Sequence, residues 1–151
     1  MIYGDNLKIG RFCVIDDGVV IGNNCTVMNY VELRKGTVIG NDCYIDSRVS
    51  SSGYNKIGNR VTIRYDSILA KGLILEDDVF ISPQFMSENL NQHREPVGGA
   101  YVERGVFIGT NVTLAAGIRI CSGAIVGTKA NVRKSITDSG IYIGNPARKI
   151  Q

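Results

Sequence analysis

The sequence predicts an all-β fold in which short parallel strands coil around a common axis. Two patterns predict it. One is an apolar residue at every sixth position, and the other is a glycine repeat at eighteen. From Tyr3 the six-residue step lands on Ile9, Ile15, Ile21, Val27, Leu33, Ile39, Ile45, Ser51, Ile57, Ile63, Leu69, Leu75 and Ile81. It restarts at Val102 and runs through Ile108, Leu114, Ile120, Val126 and Val132 to Asp138. Only Tyr3, Ser51 and Asp138 break the run of Ile, Leu and Val. An α-helix turns every 3.6 residues and cannot hold a six-residue period on one face, and a plain strand alternates every second residue. A period of six fits a short strand, a turn and the next short strand.

Gly22, Gly40 and Gly58 recur at eighteen, as do Gly18, Gly36 and Gly72, with Gly53 one place early. Three six-residue rungs therefore make one coil, with glycine at corners because it reaches positive φ without steric cost. About seven coils are expected, starting near residues 3, 21, 39, 57, 75, 108 and 126. Residues 1–151 read as a single domain, with a short C-terminal tail from about 144. No coil buries its inner face alone, so stability comes from stacking.

One segment breaks the phase. From 81 to 102 the step is 21 residues rather than six, so residues 87–101, Ser87 to Tyr101, read as an extruded loop. Loops on rigid scaffolds often carry function. This one holds the only histidine, His93, a side chain that titrates near neutrality and suits general-base chemistry.

Composition narrows the function. A net charge of +3 with mixed signs does not resemble a nucleic-acid binder. No apolar run approaches the ~20 residues of a membrane span, and the N-terminus lacks the pattern of a secretory leader, so a cytoplasmic location is expected. Of the four cysteines, Cys13, Cys25 and Cys43 share one repeat position and read as small core residues. No metal is expected.

From Val102 to Arg148 the chain resembles the hexapeptide-repeat acyltransferases. Arg104-Gly105-Val106-Phe107-Ile108-Gly109-Thr110-Asn111, Ala116-Gly117-Ile118, Val126-Gly127-Thr128 and Gly144-Asn145-Pro146-Ala147-Arg148 carry the likeness. It is most similar to small sugar-nucleotide N-acetyltransferases of surface-polysaccharide synthesis. In their loop an Asn-Asp pair precedes Pro-Arg, and the nearest equivalents here are Glu88-Asn89 and Arg94.

The resemblance implies a left-handed parallel β-helix, a homotrimer with active sites between subunits, and acetyl-CoA as co-substrate. It implies that Ala115, Ala116, Gly117, Gly127 and Ala130 line the pantetheine path. A backbone N–H near Ala115 or Gly117 would face the thioester oxygen. Arg133, Lys134, Arg148 and Lys149, beside Asn145 and Pro146, would take the CoA phosphates. Glu88, Asn89 and Arg94 would meet the sugar.

Two acceptors stay open. An amine attacks once positioned, whereas a hydroxyl needs a base, which His93 would supply. A non-catalytic scaffold is a third reading. The γ-class carbonic anhydrases share the coil but use three histidines per zinc, which one histidine per chain does not match.

Overall fold

The computed structural model describes residues 1–151. It contains no helix. Its 23 strands, most of them two residues long, form three sheets of seven, nine and seven strands, one for each face of a prism. Within a face the pairing is parallel and shifts by eighteen residues, as in Ile21↔Ile39 and Ile39↔Ile57. The chain makes about eight turns and is consistent with the expected left hand.

Inner rungs stack into one cluster of 33 buried residues. Burying each Ile, Leu or Val side chain contributes about 1.5–3 kcal/mol. The first coil has a neighbour on one side only, and Ile2 and Ile9 remain 67% and 41% exposed.

The corner between the first and second faces uses one device repeatedly. Asn23, Asn41, Asn59 and Asp77 each accept, through Oδ1, the backbone N–H of the residue below, at 2.8 Å in every case. The glycines divide into two kinds. Gly18, Gly36 and Gly72 have φ near +80°. Gly22, Gly40 and Gly58 do not; they are glycine because of close approach. A Cβ on Gly40 would lie 2.7 Å from the carbonyl oxygen of Gly58. Other corners place Asn, Asp, Arg and aromatic residues in the left-handed region.

The cysteines are free. The thiols of Cys13, Cys25 and Cys43 donate to the carbonyls of Met28, Gly40 and Gly58 at 3.0–3.1 Å. Burial pushes the Cys43 thiol up to about 12.

Two details of the repeat differ from expectation. The third-face strand Met86–Ser87 and the first-face strand Tyr101–Val102 include the ends of the anticipated loop, which therefore occupies 88–100. Fifteen residues separate Ser87 from Val102 where six separate ordinary rungs, so nine are extra. The sixth and seventh coils consequently begin at Tyr101–Val102 and Arg119–Ile120; positions 108 and 126 lie on the second face. Asp138 is exposed because the last coil is short: Ile136 pairs with Ile120, and Tyr142 with Val126, at sixteen. The antiparallel pair of Gly140–Ile143 with Arg148–Lys149 covers this end.

Candidate functional site

The corner between the third and first faces carries most of the predicted site residues. The loop leaves it after Ser87 as a hairpin. Leu90 and Pro96 form an antiparallel bridge, Val97 N–H donates to Asn89 O at 3.1 Å, and Asn91 N–H donates to Glu95 O at 3.1 Å. The Asn91 side chain organises the tip. Its Oδ1 accepts the N–H groups of His93 and Glu95 at 2.9 and 3.0 Å, and its Nδ2 donates to Glu95 Oε2 at 2.7 Å. Asn has the short amide that such a turn requires.

The returning limb lies flat on the prism. Gly117 N–H donates to Gly98 O at 3.0 Å. Gly99 has no room for a Cβ, which would fall 2.3 Å from Leu73 N.

His93 and Arg94 therefore stand on a braced tip, exposed to solvent. Neither side chain forms a hydrogen bond or ion pair with its own chain. Leu90 and Val97, flanking the tip, are 44% and 48% exposed.

At the loop root Glu88 meets Arg133. Nη1 donates to Oε1 at 2.8 Å and Nη2 to Oε2 at 3.4 Å, and the carboxylate pushes the guanidinium pKa up. The two residues occupy equivalent positions two coils apart, with Ala115 between them: Glu88 N–H donates to Leu114 O, and Ala115 N–H to Val132 O. The short Ala115 side chain leaves room for the pair to meet. Asn131 extends the link, accepting from Arg133 at 3.4 Å and donating to Asn145 Oδ1 at 3.0 Å. The loop root is thus tied to the Gly-Asn-Pro-Ala-Arg segment.

Several of the expected site residues have partners within the chain. Glu88 and Arg133 are paired with each other. The N–H groups of Ala115 and Gly117 are both used internally, while that of Ala116 makes no hydrogen bond within the chain. Ala130 is a core residue, 1% exposed, and cannot touch a ligand from inside the prism. Gly127 is small because Ile143 packs over it, with Cγ2 2.8 Å from a would-be Cβ.

Beyond the loop lies a concavity of about 300 Å³ bounded by Arg133, Lys134, Ser135, Tyr142, Pro146, Ala147, Arg148 and Lys149. Lys149 is paired with Asp138 at 2.6 Å, which pushes its pKa up. Arg148 donates only to the Ala147 carbonyl, at 3.0 Å, and Lys134 forms no ion pair. Those two cations remain for an anionic ligand. No three His, Cys, Asp or Glu side chains converge as a metal site.

Sequence reasoning missed Asn91 and Asn131. An Asn four residues before Glu95, within a tip of polar residues, is a turn signal that would have found the first. Nothing in the six-residue period marks the second, because its role depends on side chains from two other coils.

The coil and its six-residue rung define a parallel β-helix, and part of the chain is similar to known proteins with six-residue repeats. Residues 4–35 match the family described as Bacterial transferase hexapeptide (six repeats). A stretch of 69 residues is 35% identical to a chloramphenicol acetyltransferase of Agrobacterium fabrum, covering 46% of this chain and 32% of that protein. The chain spans about a third of the length of the curated relatives it matches. Among solved structures, the acetyltransferase domain of PglB from Neisseria gonorrhoeae aligns with TM-score 0.60 and 18% identity over 91% of this chain and 54% of that one. AntD, an N-acyltransferase from Bacillus cereus in complex with dTDP and 3-hydroxybutyryl-CoA, aligns with TM-score 0.55 and 20% identity over 98% and 80%. At that identity the structural likeness concerns the fold.

Proposed function

We propose that this protein is an acetyl-CoA-dependent acetyltransferase that N-acetylates a nucleotide-linked amino sugar in polysaccharide or glycan synthesis. One observation carries the reading. A single edge of the prism holds, in sequence, the braced loop with His93, the unpaired N–H of Ala116, and the concavity with Lys134 and Arg148. Acyl transfer needs an acceptor site, a donor for the carbonyl oxygen and an anion site for the CoA phosphates, in that order along an extended molecule.

In the reaction, the amine nitrogen attacks the thioester carbonyl carbon, a C–N bond forms and the C–S bond breaks. CoA leaves as the thiol, carrying the proton lost by nitrogen. Ala116 N–H is the donor placed for the carbonyl oxygen. A positioned amine needs little base assistance, so His93 and Arg94 orient the sugar. Asn89 is taken up by the hairpin through its carbonyl, which leaves its amide for the sugar.

The protein acts as a cytoplasmic homotrimer, with each site in a groove between protomers. His93 is exposed at the loop tip, and exposed Leu90 and Val97 suit burial against a second copy. AntD, with its nucleotide and acyl-CoA, supports the amine reading.

A second reading, O-acetylation with His93 as general base, is supported by the unencumbered imidazole and by the shared stretch with the chloramphenicol acetyltransferase. A thiol-release assay separates the two. Acetyl-CoA is offered with amino-sugar nucleotides, their hydroxyl analogues and plain sugars. Release with the amine alone is the expected result, and release with hydroxyl acceptors transfers the assignment to O-acetylation. Silence throughout, with no heat of CoA binding in calorimetry, leaves a non-catalytic scaffold.

A further inference from the structure

The third coil turns the functional edge differently from its neighbours. Gly18, Gly36, Gly72 and Gly117 each turn this corner as the left-handed residue, with φ of 82°, 80°, 81° and 69°. In the third coil two successive residues are left-handed, Gly53 at 104° and Tyr54 at 52°. The cause lies beneath. The inner rung there is Ser51, 1% exposed, in a ladder that is aliphatic except for it and Ser87. Its Oγ lies 2.8 Å from Thr37 Oγ1, donates to Asn55 Oδ1 at 2.5 Å and accepts Gly53 N–H at 3.2 Å. Asn55 Nδ2 donates to Ala70 O at 2.8 Å. No buried side-chain polar atom is left without a partner.

An aliphatic rung would serve the fold with no polar group to desolvate. The polar rung instead draws the corner in one residue early and shapes the surface above it. A cleft of about 390 Å³ results. The Tyr54 ring folds over Gly36, where a Cβ would lie 2.5 Å from Cδ1, and the Lys71 ammonium sits 5.1 Å from the ring centroid. Arg34 in the wall is committed to Asp16 and Glu32. The Asp16 and Glu32 carboxylates also line the cleft, and Asp16 Oδ2 accepts the Lys35 backbone N–H at 3.0 Å, but the Lys35 and Lys71 ammonium groups form no ion pair, and Ser52 is exposed.

The cleft shares an edge with the loop, because the Gly72 corner packs directly against Gly99. Lys134 lies on the far side of the loop, four coils from Ser52, a rise of about 19 Å at 4.8 Å per coil. Two cationic sites thus flank the loop, one at each end.

We propose that the cleft binds a phosphate or diphosphate group of the acceptor, held by Lys35, Lys71 and the Ser52 hydroxyl, with the Tyr54 ring against the adjoining sugar or base. This rests on the acyl-transfer reading and assigns its acceptor subsite. Calorimetry of the full chain with uridine diphosphate and with inorganic pyrophosphate tests it directly. The double variant K35Q/K71Q is expected to bind both about tenfold more weakly, as the loss of charge-assisted contacts implies. It should raise acceptor KM by a similar factor, with kcat and the KM for acetyl-CoA unchanged. An unaltered thermal midpoint checks that the variant folds. Absence of diphosphate binding, or binding that the double variant leaves intact, overturns the assignment. Thiol release with a phosphate-free acceptor, together with no diphosphate binding, removes the cleft and keeps acyl transfer. Binding that depends on the two lysines without any thiol release keeps the cleft and removes acyl transfer.

Discussion

Two corners of the same prism follow opposite rules. Between the first and second faces, three successive coils repeat Gly-Asn and the next has Glu76-Asp77, with the Asn or Asp side chain accepting the N–H below at the same 2.8 Å. Between the third and first faces most coils turn on a lone left-handed glycine, but two of them depart from it. Gly18, Gly36, Gly72 and Gly117 turn it alike, whereas the third coil uses Gly53-Tyr54 over a polar rung and the fifth extrudes the hairpin. Uniformity is what stacking requires, since identical neighbours are the simplest way to pair every backbone group. Departure from it costs free energy, and here both departures lie on one edge, with the Gly72 corner between them. The regular corner holds the coils together, and the irregular one carries the residues of the proposed site.

The contrast breaks most sharply at His93. With a hydroxyl acceptor, His93→Ala should lower kcat about 100-fold, the range for loss of a general base. With an amine acceptor kcat should stay within a few-fold. In both cases the urea midpoint should match the parent, because the exposed imidazole supports nothing. Loss of stability would mean that the irregular edge is also structural.

Next in size is Gly40→Ala on the regular corner. Its Cβ meets backbone of the next coil at 2.7 Å, so stability should fall by about 1–3 kcal/mol in urea unfolding, the cost of overpacking. Gly98→Ala on the loop has open space and bears only the strain of its φ of 93°, so a smaller loss, about 1 kcal/mol, is expected. Equal losses at both positions would erase the distinction.

Asn41→Ala removes the acceptor of one ladder bond, worth about 1 kcal/mol. Unfolding should register it while acyl transfer does not.

The smallest effect concerns Cys43. Its thiol is neutral at working pH because burial raises it from 9.0 to about 12. A raised thiol pKa disfavours the thiolate in the fold, so stability is unaffected below pH 9 and falls as pH rises from there toward 12. At pH 8, dithiobis-nitrobenzoate should leave Cys43 unmodified in the native protein and modify it in urea. Rapid native modification would show that the coils open locally.

Much of the fold was legible in the residues. Ile21, Ile39 and Ile57 announce one face and the eighteen-residue coil, because in a stacked solenoid sequence separation maps directly onto register. The breaks at Ser51, Gly53 and 87–101 were visible as loss of phase. Their meaning was not. Ser51 reads as an error in the ladder until Thr37 and Asn55 are seen beside it. The loop's limits were displaced because Ser87 is a polar inner rung whose Oγ accepts Ala70 N–H at 2.8 Å, a contact with the preceding coil.

The site divides in the same way. Sequence alone determined the repeat, the coil, the existence and approximate place of the loop, the lone histidine and the supply of basic residues near the C-terminus. Each follows from local periodicity or residue type. Only the tertiary structure decided that Glu88 neutralises Arg133, that Lys149 is taken by Asp138 while Lys134 and Arg148 are not, and that Ala130 faces the core. It alone decided that Ala116 keeps a free N–H. The physical reason is that a charge or a donor is available only if nothing nearby satisfies it. In a coil its neighbours come from residues eighteen, twenty-seven or forty-five positions away, brought beside it by the stacking of turns.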